Sequence, residues 1–253
     1  MYRPRIIPCL LLQNKGLVKT IRFSTPTYVG DPINAVKIFN DSQADELVFL
    51  DIDASKEGRV VPIDLVEKIG DEAFMPYAVG GGIRDISDVR AILKAGAEKV
   101  VINSAAIETP ELIARAADIF GSQSIIVSID ARQSHDGTYQ VYTHGGMKAT
   151  GRNPVEIAQQ MERYGAGEIM INSIDRDGTG EGYDIVLINS ITREVQIPVI
   201  AIGGARSLED FAMAVREGGA SAVAAGSMFV FIGRKRAVLI NYPDRDTVLE
   251  AFR

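Results

Sequence analysis

Short apolar runs alternate with amphipathic stretches along almost the whole chain. The apolar runs cover residues 5–12, 46–52, 76–80, 98–103, 124–130, 167–173, 198–203 and 221–225. The stretches in which apolar residues recur with helical spacing cover residues 31–43, 61–70, 86–95, 109–120, 153–164, 183–194, 207–218 and 244–251. Strands that are apolar throughout are buried on both faces, as in a parallel sheet that is covered by helices.

The number of strand and helix pairs indicates the fold class. Eight pairs in 253 residues are typical of the α/β class and of its (β/α)8 architecture, the TIM barrel. No stretch rich in Pro, Gly and Ser divides the chain, so we expect residues 1–253 to form a single domain. A doubly wound open sheet is the alternative architecture.

One segment of the chain recurs 122 residues further on. Residues 76–84 read PYAVGGGIR and residues 198–206 read PVIAIGGAR, and a predicted helix and strand follow each copy. The repeat predicts a barrel made of two similar half-barrels. Glycines after a strand let the backbone approach an anion, and the start of the next helix favours negative charge.

We therefore predict two phosphate-binding sites, one in each half. The first consists of Gly81, Gly82, Asn103 and Ser104, and the second of Gly203, Gly204, Gly226 and Ser227. A small molecule with a phosphate group at each end would occupy both sites.

Further candidate residues lie where predicted strands end, which is where (β/α)8 barrels carry their chemistry. The polar residues at these ends are Asp51, Asn103, Asp130 and Asn172. Asp130 ends an otherwise apolar strand, and burial can raise the pKa of such a carboxyl group enough for proton transfer near neutral pH. The alternative for Asp130 is a helix cap or a hydrogen bond within a loop.

Two segments beside these ends are also candidates for substrate contact. Lys19 follows the first strand and can hold a phosphate or a carboxylate, although an ordinary surface lysine would have the same spacing. Asp177 and Gly178 follow the sixth strand and suit a substrate loop, or an ordinary Asp-Gly turn.

The opposite ends of the strands carry charge. Four strands begin with charged residues, namely Arg5, Glu46, Lys99 and Glu168. Their side chains should meet at the amino-terminal mouth of the barrel, where a ring of two acids and two bases could gate an axial passage or simply plug the barrel.

Composition excludes several classes of protein. The net charge of −6, with acids and bases interspersed, argues against nucleic-acid binding. No apolar run reaches about 18 residues, so we expect no membrane span. A single cysteine, Cys9, excludes a disulfide framework and fits a cytoplasmic protein. The only histidines, His135 and His144, belong to no cluster with ligand spacing, so we expect no metal ion and no cofactor.

Several motifs together resemble the HisF family, the cyclase subunits of imidazole glycerol phosphate synthase. They are RIIPCL at 5–10, DELVFLDI at 45–52, VGGGI at 79–83, INSAA at 102–106, FGSQ at 120–123, YTHGG at 142–146, GAGEI at 165–169 and SIDRDGT at 173–179. The resemblance runs nearly from end to end. It implies a (β/α)8 barrel with a bisphosphate site, and a HisH-like glutaminase partner that docks on the amino-terminal face and sends ammonia along the barrel axis.

The resemblance also implies roles for individual residues. Asp130 matches one of the two catalytic carboxylates of the family. The residues that match an ammonia gate are Arg5, Glu46, Lys99 and Glu168. The residues that match substrate-site positions are Lys19, Asp51, Gly82, Asn103, Asp177, Gly203 and Ser227.

One departure from the family pattern bears directly on function. The family cyclases have their other catalytic aspartate at the end of the first strand, and this chain has Leu11 there. Leucine neither accepts nor donates a proton, so a mechanism with two carboxylates would lose about 10²–10⁴ in rate. The segments LLL at 10–12, VKT at 18–20 and RAVLINYP at 236–243 instead resemble HisF paralogues that are encoded with bacterial surface-polysaccharide genes.

Three functions follow from these comparisons of motifs. The first is a subunit that receives ammonia from a glutaminase so that, with an ATP-dependent sugar amidotransferase, an acetamido group becomes an acetamidino group. The second is the cyclase of histidine biosynthesis, which acts on a ribulosyl bisphosphate. The third is a barrel that serves as a scaffold without catalysis.

Overall fold

The computed structural model describes residues 4–233 and 235–252 of the chain. Its strands are β1 (Arg5–Gln13), β2 (Gly16–Lys19), β3 (Thr27–Gly30), β4 (Leu47–Asp51), β5 (Tyr77–Gly80), β6 (Lys99–Ile102), β7 (Ile125–Gln133), β8 (Tyr139–Thr143), β9 (Lys148–Ala149), β10 (Glu168–Ser173), β11 (Val199–Ile202), β12 (Ala222–Ala225), β13 (Phe231–Ile232) and β14 (Ala237–Val238). Its helices are α1 (Pro32–Asp41), α2 (Ile63–Glu72), α3 (Ile86–Lys94), α4 (Ser104–Glu108), α5 (Glu111–Phe120), α6 (Pro154–Arg163), α7 (Ile185–Thr192), α8 (Leu208–Arg216) and α9 (Arg245–Ala251). Short 3₁₀ turns cover Ser122–Ser124 and Ser227–Phe229.

Eight parallel strands close into a barrel. In order around the barrel they are β1, β4, β5, β6, β7, β10, β11 and β12. Strand β12 pairs with β1 in parallel register, which completes the ring. The predicted (β/α)8 class is confirmed, and the open sheet is excluded because no edge strand remains in the ring.

Local signals in the sequence explain where several helices begin. Asp31 and Asn153 accept hydrogen bonds from the first turns of α1 and α6, and a proline follows each of them at the first helical position. Ser207 and Asp210 form a reciprocal capping box at the start of α8. These caps place the helix starts close to the predicted ones.

The barrel strands bury both faces, in two separate apolar layers. On β1, the side chains of Ile7 and Cys9 point into the bore, whereas those of Ile6 and Leu10 pack under the surrounding helices. The inner layer consists of Ile7, Cys9, Val48, Ala78, Val101, Ile126, Met170, Ile200, Ile202, Ala222 and Ala224. The bore is therefore lined by hydrocarbon and sulfur along its length, and charged groups occur only near its ends.

Three hairpins were not predicted from the apolar pattern. Strands β2 and β3 follow β1, and strands β8 and β9 follow β7, so the two half-barrels carry a hairpin after equivalent strands. A third hairpin, β13 with β14, follows the last barrel strand. These strands have two to five residues each. Strands β3, β9, β13 and β14 are largely exposed, whereas β2 is mostly buried, and none of the six has the long apolar run that identifies a barrel strand.

The barrel should depend strongly on the aromatic cluster beside its last strand. Phe229 is fully buried and contacts the rings of Phe39, Phe211 and Tyr242. Phe229→Ala should lower the free energy of unfolding by about 3–5 kcal/mol, because it leaves a cavity. Phe74→Ala is the matched control, since Phe74 is 88% exposed and should change stability by less than about 0.5 kcal/mol. Urea unfolding of the isolated chain measures both, and equal effects would contradict the assignment.

Candidate active site

A cavity of about 270 Å³ opens at the carboxyl-terminal mouth of the barrel. Its walls include every residue that the sequence analysis placed at this end, namely Leu11, Lys19, Asp51, Gly81, Gly82, Asn103, Ser104, Asp130, Asn172, Asp177, Gly178, Gly203, Gly204, Gly226 and Ser227. They come from strands and loops in all parts of the chain. Their shared location is an observation, and their individual roles stay predictions.

Asp130 is a deeply buried carboxyl group of the cavity. It is 8% exposed, close to the 7% of Asp51, and Asn103 Nδ2 donates to its Oδ2 over 3.1 Å. Burial raises the pKa of Asp130 to about 7, with a further contribution from the negative charge of Asp177. The amides of Asn103 and Asn172 oppose this shift because they favour the charged form. Asp130 can therefore exchange a proton near neutral pH.

Leu11 lies on the opposite side of the barrel from Asp130. Strands β1 and β7 are four strands apart in either direction around the ring of eight. The Leu11 side chain lines the cavity and, together with Leu50, packs against the apolar layer of the bore. The side of the mouth that faces Asp130 thus offers hydrocarbon, with no proton-transfer group at the end of β1.

Lys19 and Asp177 form a second buried polar group. Lys19 is 6% exposed, and its Nζ donates to the Cys9 carbonyl over 2.5 Å. Burial lowers the pKa of Lys19 and raises that of Asp177 to about 6, while the Lys19 charge opposes the shift of Asp177. Arg22 N donates to the Asp177 carbonyl over 2.9 Å, so the loop after β2 crosses the mouth and contacts the loop after β10.

Asp51 has structural partners that the sequence did not reveal. Arg59 Nη1 lies 2.6 Å from Asp51 Oδ2, and Asp51 Oδ1 accepts from the backbone of Asp53 and Ala54 over 3.1 Å each. Asp51 therefore orders the loop after β4. Arg59 was missed as a cavity residue because its only signal is its contact with Asp51 and not a motif.

Two equivalent glycines in the half-barrels are required by close backbone approach. A Cβ on Gly82 would lie 1.8 Å from the Arg59 carbonyl oxygen, and one on Gly204 would lie 2.2 Å from the Gly182 carbonyl oxygen. Both have positive φ, at 68° and 110°. Only glycine fits these positions, which brings the backbone to the cavity wall in each half.

The four predicted charged residues meet at the amino-terminal end of the bore. Arg5 contacts both Glu46 and Glu168. Lys99 Nζ lies 2.9 Å from Glu46 and 2.7 Å from Glu168. Burial would raise the pKa of Glu168, but Arg5 and Lys99 outweigh it, and the pKa lies below its ordinary value. Acidic and basic side chains alternate around the ring, and the ring is closed. Both a gate and a plug would require this arrangement.

Within residues 4–233 and 235–252, no group of three or more His, Cys, Asp or Glu side chains is arranged to hold a metal ion. In the same part of the chain, no helix has the length and apolar composition needed to cross a membrane.

Comparison with known proteins identifies the family. A family model described as "Histidine biosynthesis protein" matches residues 5–233. The chain is 50% identical to the Pseudomonas aeruginosa protein named "Putative imidazole glycerol phosphate synthase subunit hisF2", over 96% of this chain and 97% of that protein. It is 48% identical to a Leptospira borgpetersenii protein named "Putative imidazole glycerol phosphate synthase subunit HisF", over 96% of each.

A further relative carries the same enzyme name without a qualifier. It is the Hyphomonas neptunium protein named "Imidazole glycerol phosphate synthase subunit HisF", which is 49% identical over 91% of each chain. These identities extend over nearly the whole barrel and its cavity. The chain belongs to the HisF family of imidazole glycerol phosphate synthase subunits, a family of enzymes.

Proposed function

We propose that this chain is a HisF-type synthase subunit that receives ammonia from a glutaminase and directs it into the formation of an acetamidino group on a bacterial surface-polysaccharide sugar. The proposal depends on one observation. Asp130 and Leu11 lie on opposite sides of the mouth, whereas the bore is apolar and the charged ring contains all the residues that were predicted for it. The chain has what ammonia delivery needs, but only one of two proton-transfer groups.

The amino-terminal end supports ammonia passage. The ring of Arg5, Glu46, Lys99 and Glu168 has no net charge, so it does not repel a neutral molecule. Beyond it the bore is apolar. Ammonia crosses such a bore as the neutral species, whereas ammonium would lose its hydration without gaining a partner. A HisH-like glutaminase that docks over the ring would release ammonia directly into this passage.

The residues at the carboxyl-terminal end of the barrel favour a reaction that needs less acid and base catalysis than the cyclase reaction does. Replacing the oxygen of an acetamido group by nitrogen requires activation of the amide oxygen, for which an ATP-dependent sugar amidotransferase is the proposed partner. Ammonia is then the nucleophile, and it must arrive unprotonated. Asp130 is the only predicted catalytic carboxylate, because the end of β1 carries Leu11.

The second candidate is the cyclase of histidine biosynthesis, which uses ammonia and a ribulosyl bisphosphate. One observation favours it: the glycine positions of both predicted phosphate sites are intact, with Gly82 and Gly204 against backbone in each half. The Hyphomonas neptunium relative also bears the name of that synthase. An assay of the purified chain with ammonium salt and the cyclase substrate separates the two candidates.

In this assay, Leu11→Asp should raise cyclase turnover by about 10²-fold or more over a very low wild-type rate, because it restores the second proton-transfer group. The measurement is the loss of substrate absorbance. Leu11→Asn is the matched control, since asparagine has the shape of aspartate but transfers no proton, and it should leave the rate unchanged. Robust wild-type turnover would instead restore the histidine-pathway function.

Lys99→Ala should reduce glutamine-dependent product formation more than formation driven by added ammonium salt, because ammonia from the glutaminase must pass the ring. Both rates are measured with a co-encoded glutaminase present and its binding verified. Lys15→Ala is the control, because Lys15 is exposed on the turn after β1, at the opposite end of the barrel from the ring, and it should change neither rate. Equal losses in the two assays would show that Lys99 supports folding or chemistry and not a passage.

Asp130→Asn should stabilise the protein at pH 8 and leave stability nearly unchanged at pH 4. The carboxyl group of an unfolded chain titrates near pH 3.9, whereas burial raises the pKa of Asp130 to about 7 in the folded state. Between these values the unfolded state releases a proton that the folded state keeps, so wild-type stability falls as pH rises. The difference amounts to at most about 4 kcal/mol.

Urea unfolding at a series of pH values measures this gain. Asp136→Asn is the control: Asp136 is exposed and hydrogen bonds lower its pKa, so the variant should show no gain with rising pH. A stability difference between wild type and Asp130→Asn that does not vary with pH would contradict the raised pKa.

A further inference from the structure

The hairpin of β13 and β14 lies beside the carboxyl-terminal mouth, after the last barrel strand. Its base is attached to the buried end of the 3₁₀ turn: Leu239 N donates to the Val230 carbonyl and Asn241 N to the Phe229 carbonyl, over 2.9 Å each. Arg236 N donates to the Gly233 carbonyl over 3.1 Å, which closes the turn. Arg236 is exposed, but its backbone N–H is bonded within the turn, and the base of the hairpin is bonded to the segment that follows β12.

The Arg236 side chain points at the rim of the cavity. Its guanidinium stacks on the Phe231 ring, 4.5 Å from the ring centre. Nη2 lies 3.5 Å from Ser227 Oγ, and Nη1 lies 3.5 Å from the Gly178 carbonyl oxygen. Ser227 and Gly178 both line the cavity, from the loops after β12 and β10. The guanidinium thus spans the two loops that form this side of the mouth.

Arg236 has no ion-pair partner among the described residues, since no carboxylate lies within 4.0 Å of its nitrogens. Its two contacts with protein oxygens are long, and a guanidinium has five N–H donors. The stack on Phe231 orients the group without using those donors. Arg236 has a left-handed backbone conformation, with φ of 50°. Because this conformation is uncommon for a residue other than glycine, it indicates that neighbouring groups hold this position.

The chemistry beside Arg236 suits an oxyanion. Ser227 supplies a hydroxyl group, and the adjacent Gly204 and Gly178 leave the wall free of side chains. A guanidinium binds phosphate with two parallel hydrogen bonds, and its charge is permanent. In the first half-barrel, α4 and then α5 follow β6, with no hairpin between them, whereas the 3₁₀ turn after β12 leads into the hairpin. The second site therefore carries a cation that the repeat does not duplicate.

We infer that Arg236 is a substrate-binding residue that donates to the phosphate group held beside Ser227 and Gly204, and that it selects a phosphate at this end of the substrate over a neutral hydroxyl. This inference rests on the proposed bisphosphate site. It adds a ligand from outside the repeated glycine units.

Inorganic phosphate is the probe, measured by calorimetry at constant ionic strength and by crystal structures of wild type and variants grown in phosphate. Arg236→Ala should weaken binding at the Ser227 site by about 10- to 100-fold, the effect of losing a charge-assisted hydrogen bond. Phosphate beside Gly82 and Ser104 should stay. Arg236→Lys should recover part of the affinity, because it keeps the charge but loses the planar fork.

Lys235→Ala is the matched control, because Lys235 is an exposed cation on the same turn with no hydrogen bond to Ser227 or Gly178 in the described structure. It should bind phosphate as wild type does. Equal losses in Lys235→Ala and Arg236→Ala would reduce the effect to general electrostatics and overturn the inference, as would unchanged binding in Arg236→Ala. Wild-type protein with phosphate at neither site would overturn the bisphosphate proposal itself, an outcome that is distinct from either of these.

Discussion

Closure of eight parallel strands buries both faces of every strand, and this constraint governs where charge can lie. The bore is lined by residues such as Ile7, Val101 and Met170, so an ion inside it would lose hydration without compensation. Charged groups are consequently confined to the two ends, where partners are available. At one end, Arg5 and Lys99 neutralise two glutamates. At the other, Asp130 is held by amides, and its pKa rises to about 7.

At the mouth, Asp130 has its hydrogen-bonding neighbours, but Leu11 stands where a second carboxylate would be needed. Asn103 donates both to Asp130 and to the Ser128 carbonyl, so its orientation is defined and it favours the charged form of Asp130. Leu11 extends the apolar surface of the bore to the mouth on the opposite side. In the proposed function, neutral ammonia would meet hydrocarbon on one side of the mouth and the carboxyl group of Asp130 on the other, an arrangement that fits delivery of ammonia better than catalysis by two carboxylates.

The two half-barrels are alike in their backbone and unlike in their additions. Gly82 and Gly204 meet backbone carbonyl oxygens in equivalent places, and each half carries a hairpin after its first strand. The hairpin of β13 and β14 has no equivalent after β6, where α4 follows directly. The repeat therefore accounts for the shared backbone geometry at Gly82 and Gly204, whereas Arg236 and the residue pair of Asp130 and Leu11 distinguish the two halves chemically.

The sequence was enough to predict the barrel and most of the residues that line its carboxyl-terminal mouth. All eight barrel strands and their helices lie within a few residues of the predicted ranges. A strand that is buried on both faces needs a continuous run of apolar residues, and such a run can be recognised in the sequence alone. The rule that chemistry lies at strand ends, and the resemblance to HisF, brought Asp130, Asn103 and Leu11 to attention. Three features could be seen only in the tertiary structure: Arg59 contacts Asp51, burial raises the pKa of Asp130, and the Arg236 side chain reaches Ser227. These features depend on the path of exposed loops and on distant neighbours, which periodicity does not record.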